Sequence, residues 1–253
     1  MSAPIVLYDI PGRNPKYPAW SPSTWRTRYA LAFKGLPFRT EWIEYPDIEP
    51  TCKKLGAKHT RTRLDGTPVY TVPVISDPNT ETAVEDSLNI AKYLDMTYPD
   101  TPRLFPDNTF VLHSAFTEFL EPITRSFVPN TILAVCDNFS PISAEYFRRV
   151  QEQTFGVVLE DLVPSDEESK MNKWNEARDG FDKIAGWFEK SGNNGSFVMG
   201  DTITYADIDL VSRLIWVKIV MGEESEAWVR IAQWNGGRWQ QHLKLMQKYE
   251  NLS

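Results

Sequence analysis

A serine followed by a proline stands at the predicted start of the first helix, in the segment PAWSPSTWRTRYALAFKG of residues 18–35. Serine is favoured just before a helix and proline at its first position, so Ser21 and Pro22 predict a capped helix start. The same position can serve chemistry, because a hydroxyl at the positive end of a helix can donate a hydrogen bond to an anion. Ser23 and Thr24 lie on the same turn, and the sequence does not choose among these three hydroxyls.

Two later dipeptides place further groups at the ends of predicted elements. In YTVPV, Val72-Pro73 precedes an apolar strand, where proline is expected only at an edge or a strand beginning and where a cis bond is compatible with the pattern. An edge left open there can pair with an extended peptide. In EDSLNIAKYL, Asp86 and Ser87 begin a helix whose free N–H groups suit either a capping side chain or a bound carboxylate.

Hydrophobic periodicity places these residues in a small α/β domain. Strands are predicted at 5–9, 38–45, 70–77 and 82–86, with helices at 21–35 and 86–99. We treat the stretch 46–68 as irregular. Because Pro46, Pro50 and Pro68 break any long helix there, the second helix of a βαβαββα order is the element that the sequence defines least.

Beyond a proline-rich connector at 98–108, the strand patterns disappear. Helices are predicted at 109–135, 143–162, 166–190, 204–221 and 225–248. Thr204 and Asp207 carry the spacing of a capping box, which assigns them to folding. We therefore expect an α/β domain at 1–97 and an all-helical domain at 109–253.

Composition and charge exclude several classes of function. The 253 residues are 42% hydrophobic and 24% charged, which is typical of a soluble globular protein, and the net charge of −7 argues against a nucleic-acid partner. We predict no secretory signal and no membrane span, and hence a cytoplasmic location. Two distant cysteines and three histidines without motif spacing predict neither a disulfide framework nor a metal site.

The Ser21-Pro22, Val72-Pro73 and Asp86-Ser87 pairs and the capping box together resemble the glutathione transferase superfamily over nearly the whole chain. Within it, SPSTWRTRYALAFKG and DSLNIAKYLDMTYPDTPRLFP are most similar to the serine-type, etherase-related fungal class and its bacterial β-etherase relatives. The resemblance implies a thioredoxin-like domain followed by a helical domain. It also implies a homodimer that uses glutathione as co-substrate and needs no cofactor.

Carried over by motif, Val72 and Pro73 would bind the cysteinyl part of glutathione, and Asp86 and Ser87 its γ-glutamyl end. A free thiol with a pKa of about 8.5 is only about 3% thiolate at pH 7, so the family's serine position implies thiolate stabilisation by Ser21. Ser23 is the alternative hydroxyl. Lys58, His59, Arg61 and Arg63, in the loop AKHTRTR, are candidates for binding the glycine carboxylate, or they form a solvated basic loop.

A second, hydrophobic substrate needs an apolar pocket between the two halves. Aromatic and related side chains that could form its wall are Tyr8, Tyr17, Trp20, Phe110, His113, Phe116 and Phe119, although core packing explains each of them equally simply. The predicted function is glutathione attack on aromatic or hydrophobic electrophiles, by conjugation or ether cleavage, with a ligandin role. The alternatives are a non-catalytic binding protein for aromatic small molecules such as polyphenols, and an interaction module.

Overall fold

The N-terminal part of the molecule is built on a mixed four-stranded sheet. The structure is a computed structural model, which describes residues 3–63, 65–192 and 196–252. The strands are β1 (Ile5–Asp9), β2 (Phe38–Trp42), β3 (Arg61–Thr62), β4 (Pro68–Val69), β5 (Val74–Asp77) and β6 (Thr82–Glu85). The helices of this part are α1 (Pro22–Phe33), α2 (Ile48–Leu55) and α3 (Ser87–Thr97).

The sheet has the order β2-β1-β5-β6, and its inner strands, β1 and β5, contain most of its buried residues. Strand β1 lies parallel to β2 with Ile5 opposite Phe38, and antiparallel to β5 with Leu7 opposite Ile75. A parallel pair needs a crossover connection, which α1 supplies. Residues 5, 7 and 9 are buried while the two between them are half-buried, as the period-two pattern of the sequence predicts. The predicted thioredoxin-like topology is confirmed.

The stretch 46–68 is more ordered than the sequence suggests. It contains α2, preceded by a 3-10 turn at Tyr45–Asp47, and the small hairpin of β3 and β4. Pro50 is tolerated because it occupies the first turn of α2, where backbone N–H groups have no partner within the helix. Gly56 ends α2 in the left-handed conformation that favours glycine.

The second part of the described chain is helical, which confirms the predicted fold class. Its helices are α4 (Phe110–Asp137), α5 (Pro141–Phe155), α6 (Leu159–Leu162), α7 (Glu167–Lys190), α8 (Tyr205–Met221) and α9 (Glu226–Met246). The helix predicted at 143–162 is divided, because Gly156 adopts a φ of 75° and ends α5. The last helix is interrupted from Trp234 to Gly237, where three consecutive residues have positive φ.

Helix α8 forms the centre of the helical part and contacts α1, α4 and α9. Every residue from 205 to 217 is buried. The predicted capping box is present at its start: the Asp207 carboxylate accepts a hydrogen bond from the Thr204 N–H at 2.9 Å. Asp207 also accepts from the Val198 N–H at 2.8 Å, so one buried carboxylate fixes both the helix and the preceding loop.

In the ranges that the structure covers, no helix is both long enough and apolar enough to cross a membrane.

We predict that Asp207→Ala destabilises the protein more than Asp166→Ala, in urea unfolding followed by circular dichroism. Asp166 caps α7 through the Ser169 N–H at an exposed position, so its loss should cost about 1 kcal/mol. Loss of the buried Asp207 leaves the Thr204 and Val198 donors without an acceptor, at about 1–3 kcal/mol for each group. Equal losses for the two variants would contradict the role assigned to Asp207.

Candidate functional site

Ser21 occupies the position before α1 but does not cap it with its side chain. Its backbone is extended, with φ −65° and ψ 132°, and Pro22 is the first residue of the helix, as predicted. Within the described ranges the Ser21 hydroxyl accepts no hydrogen bond from the first turn. The predicted side-chain cap is therefore wrong. A side-chain cap is not needed here, because the first turn of α1 borders a cavity, where water or a ligand can accept hydrogen bonds from its free N–H groups.

The backbone at Ser21 is held by its neighbours. The Ser21 carbonyl accepts hydrogen bonds from the Trp25 N–H at 3.0 Å and from the Thr24 hydroxyl at 3.1 Å. The Trp25 indole N–H donates to the Ala19 carbonyl at 3.1 Å, and Thr24 and Trp25 are both buried. Of the three candidate hydroxyls, those of Ser21 and Ser23 line the cavity described below, whereas Thr24 is not among its lining residues.

The Val72–Pro73 peptide bond is cis, and Val72 lies just before β5. Strand β5 begins only at Val74, and in the described part of the chain no strand pairs with Val72. Its main-chain groups are therefore outside the sheet ladder. Val72 also lines the cavity, so an extended ligand can reach it.

Asp86 and Ser87 are adjacent but have different surroundings. Asp86 caps α3, since its Oδ1 accepts from the Leu88 and Asn89 N–H groups at 3.0 and 3.1 Å. Its φ of 69° is rare for a residue other than glycine, and such conformations cluster at functional sites. Ser87 is buried, and its hydroxyl oxygen accepts from Arg26 Nη1 at 3.3 Å and from the Tyr205 hydroxyl at 3.4 Å.

A cavity of about 580 Å³ lies between the α/β part and the helical part. Its volume is in the range of small-molecule sites. The α/β part contributes Ile10, Trp20, Ser21, Pro22, Ser23, Tyr45, Ile48, Thr60, Arg61, Tyr70, Thr71, Val72 and Asp86. The helical part contributes Val128, Thr131, Ile132, Val135, Phe139, Phe147, Gln151, Phe155 and Trp216. One wall is thus polar and close to the start of α1, and the other is largely apolar.

Of the residues predicted to form the hydrophobic pocket, Trp20 lines this cavity. Phe110, His113 and Phe119 do not. They lie in the N-terminal half of α4, where the Phe110 ring is 5.1 Å from that of Phe105, and His113 Nδ1 is 2.9 Å from the Thr109 carbonyl. The Phe119 ring is 4.6 Å from that of Trp187.

Three further predicted pocket residues also lie elsewhere. Tyr8 is on β1 opposite Glu41, the Tyr17 hydroxyl donates to Glu223 at 2.6 Å, and the Phe116 ring is 6.4 Å from that of Trp187. The cavity uses the C-terminal half of α4 instead. A sequence signal for that half exists, because Val128, Ile132 and Val135 have the spacing of one helix face.

Of the four basic residues in the loop AKHTRTR, one lines the cavity. Arg61 lines the cavity, whereas Lys58, His59 and Arg63 are not among its lining residues. The Lys58 backbone N–H donates to Glu85 at 3.1 Å, and the His59 ring is 6.2 Å from that of Tyr70. Arg61 is therefore the member of this loop best placed for an anionic group in the cavity.

A cluster that sequence analysis missed joins the two parts beside the cavity. The Glu44 carboxylate accepts hydrogen bonds from the hydroxyls of Ser140, at 2.5 Å, and Ser143. The Ser143 hydroxyl oxygen also accepts from the Tyr45 N–H at 2.7 Å. These bonds hold the Tyr45 ring against Phe139, with ring centroids 5.7 Å apart. No local pattern predicts such a contact, because its partners are almost a hundred residues apart.

The thiols of the protein are unsuited to nucleophilic chemistry. Cys52 and Cys136 are free and buried. Burial, with a contribution from Glu85, raises the pKa of Cys52 to about 11, and burial also raises the pKa of Cys136. A thiol must ionise to react, so both remain in the unreactive form at neutral pH. The described residues include no group of histidine, cysteine and acidic side chains that could hold a metal ion.

Comparison with known proteins gives matches over most of the chain. A model of the glutathione S-transferase N-terminal domain matches residues 20–97, and one of the C-terminal domain matches residues 111–249. The chain is similar to the glutathione S-transferase-like protein ustS of Aspergillus flavus, with 30% identity over 237 residues. That alignment covers 85% of this chain and 80% of the relative.

Two solved structures share this fold at considerable identity. A glutathione transferase of Phanerochaete chrysosporium, GSTFuA3, is 42% identical, with full coverage of both chains and a TM-score of 0.95. A glutathione S-transferase of Ceriporiopsis subvermispora, solved in complex with glutathione, is 46% identical, with 99% coverage of both chains and a TM-score of 0.94. From these matches and the fold, the chain belongs to the glutathione S-transferase family.

Proposed function

We propose that this protein is a glutathione transferase in which Ser21 activates the glutathione thiol for attack on aromatic or hydrophobic electrophiles. One observation carries the proposal: the Ser21 hydroxyl lines the same cavity as Val72 and Asp86, at the positive end of α1. In the described structure this hydroxyl makes no capping hydrogen bond with the helix. The similarity to the Ceriporiopsis subvermispora enzyme, solved with glutathione, supports glutathione as the ligand.

Glutathione is an extended tripeptide, and the cavity offers a partner for each of its parts. The main chain of Val72 is free of the sheet ladder and suits the cysteinyl residue. Asp86 and Ser87, at the start of α3, suit the α-amino acid end of the γ-glutamyl group, although only Asp86 lines the cavity and Ser87 is buried behind it. Arg61 suits the glycine carboxylate.

The sulfur then lies beside Ser21, where the thiolate is stabilised. A hydrogen bond to a charged acceptor contributes about 1.5–3 kcal/mol, and a helix N-terminus adds about 0.3–1 kcal/mol. At about 1.36 kcal/mol for each pKa unit, these terms lower the thiol pKa by roughly 1–3 units. The thiol proton leaves to solvent, and the sulfur lone pair forms the new C–S bond as the leaving group departs with its electron pair.

Serine restricts the chemistry to such displacements. Its hydroxyl cannot form a mixed disulfide, so thiol-disulfide reduction through residue 21 is disfavoured. We assign the protein to the etherase-related fungal class, in which a phenolate can be the leaving group. The support is its sequence identity of 42% and 46% to two fungal transferases and the serine at residue 21.

The apolar wall of the cavity favours a second candidate function, the binding of aromatic compounds such as polyphenols without turnover. Trp216, Phe139 and Phe147 provide the same surface for a ligand as for a substrate. The two functions differ in whether an electrophilic carbon comes within about 3–3.5 Å of the sulfur. We also propose a homodimer, for which the exposed Met96, Val111 and Leu112 on neighbouring helices provide apolar contact surface.

We predict that the wild-type protein binds reduced glutathione, as measured by isothermal titration calorimetry. The matched control ligand is ophthalmic acid, in which a methyl group replaces the thiol. It should still bind, because the contacts of Val72 and Asp86 do not involve sulfur. If folded protein produces no heat with either ligand at millimolar concentration, the proposed function is wrong.

We predict that Ser21→Ala lowers the rate of conjugation with 1-chloro-2,4-dinitrobenzene at neutral pH, and that the defect shrinks as pH rises. Without the hydroxyl, the bound thiol has a higher pKa and is less ionised at pH 7, whereas at high pH it ionises in both proteins. Glutathione affinity should change little. Stability should also change little, because Ser21 makes no side-chain cap in the described structure.

Ser23→Ala is the control, since Ser23 lines the same cavity two residues further along the chain. It should keep the wild-type dependence of rate on pH. A normal profile for Ser21→Ala with a shifted profile for Ser23→Ala would transfer the role to Ser23. Normal profiles for both variants would exclude a serine and leave the backbone N–H groups of α1.

A further inference from the structure

Helix α5 presents one side to the cavity. Phe147, Gln151 and Phe155, at every fourth position of α5, all line it. Residues four apart lie on the same side of a helix, so this side of α5 forms part of the largely apolar wall. The position of α5 therefore determines how far this wall lies from the α/β part.

Few elements support α5. Within the described chain, the elements that contact it most are its chain neighbours α4 and α6, and the 3-10 turn Tyr45–Asp47 of the α/β part. That turn is thus the principal link between α5 and the domain that carries Ser21. The bonds at this link decide whether the two sides of the cavity keep a fixed separation.

Glu44, directly before the turn, is bonded to the start of α5. Its Oε2 accepts hydrogen bonds from the hydroxyls of Ser140, at 2.5 Å, and Ser143. The Tyr45 N–H donates to Ser143 Oγ at 2.7 Å, and the Ser143 N–H donates to Ser140 Oγ at 3.3 Å. Each direction is fixed by the partner, because a carboxylate only accepts and a backbone N–H only donates.

The surroundings strengthen these bonds. Ser140 directly precedes the first residue of α5, where the free N–H groups of the helix carry a partial positive charge that favours a carboxylate. Hydrogen bonds to a charged acceptor are about twice as strong as those between neutral groups. Ser143 is fully buried, while Glu44 and Ser140 are half-buried, so water competes little for this carboxylate.

The same link orders the aromatic rings around it. The Tyr45 ring packs against those of Tyr146 and Phe147 on α5, with centroids 5.2 and 6.1 Å apart. The Phe139 ring lies 5.2 Å from that of Phe147. Tyr45, Phe139 and Phe147 all line the cavity, so a displaced start of α5 would separate rings that form its wall.

We propose that Glu44 is a positioning residue for the aromatic ligand: by binding Ser140 and Ser143 it holds α5 where an aromatic group in the cavity contacts both sides. Glu44 is not among the residues that line the cavity, so it acts through Tyr45 and α5. The proposal rests on the proposed function, because it takes the aromatic group to be part of a glutathione conjugate.

The test measures what the aromatic group adds to binding, by calorimetry with glutathione and with S-(2,4-dinitrophenyl)glutathione. The wild type should bind the conjugate more tightly. One aromatic contact corresponds to about two- to tenfold in affinity, so Glu44→Ala should lower the ratio of the two dissociation constants by about that factor. Loss of folded protein weakens both ligands equally and leaves this ratio unchanged, so the ratio separates positioning from stability.

Three further variants complete the test. Ser143→Ala should also lower the ratio, and Glu44→Ala/Ser143→Ala should lower it no further than Glu44→Ala, because both changes remove the same link. Ser140→Thr retains the hydroxyl and should keep the wild-type ratio. The matched control is Glu49→Ala, since Glu49 is an exposed glutamate of α2 that pairs with Lys53 of the same helix at 2.6 Å. It should also keep the wild-type ratio.

The outcomes separate the two proposals. A wild type that binds neither ligand overturns the proposed function and this assignment with it. A wild type that binds the conjugate no more tightly than glutathione overturns the positioning role while glutathione binding stands. An unchanged ratio in Glu44→Ala, or an equal loss in Glu49→Ala, has the same consequence.

Discussion

Helix α1 carries two arginines that the fold buries, and the need to pair them governs how the molecule is assembled. Arg28 lies 2.9 Å from Asp9 of β1 with both side chains fully buried, and Arg26 lies 2.7 Å from the fully buried Asp209 of α8. An unpaired buried charge is strongly unfavourable. Because residues two positions apart lie on opposite sides of a helix, α1 must face the sheet with one side and α8 with the other, which fixes how the two parts of the chain dock.

The candidate site follows from this docking. The start of α1 brings Ser21 to the cavity, and the next turn directs Arg26 towards α3, where it contacts Ser87. The side chain that pairs with a buried acid of the helical part therefore also contacts Ser87, a residue of the α/β part.

The sequence predicts those features that depend on local patterns. Alternating burial in β1, proline after Ser21, and the capping spacing of Thr204 and Asp207 all appear in the structure. The prolines of the stretch 46–68 disfavour a long helix, but the short α2 forms because Pro50 lies in its first turn, where the missing N–H costs no hydrogen bond.

Features that depend on distant partners could not be predicted in this way. Residue type alone makes Phe110 and Phe119 candidates for the pocket, but which half of α4 faces the cavity depends on how α4 packs against α7 and α8. The contact of Arg26 with Ser87 joins residues 61 positions apart, and that with Asp209 joins two elements of different domains. Pairing of this kind has no local sequence signal.

In the proposed function, the glutathione sulfur lies beside the start of α1, where the Ser21 hydroxyl stabilises the thiolate. A crystal structure of the protein with bound glutathione measures the distance between these two groups. We expect the sulfur within hydrogen-bonding distance of the Ser21 hydroxyl, with the γ-glutamyl end of the ligand at Asp86. A sulfur atom away from the start of α1 would overturn the activation of the thiol by Ser21.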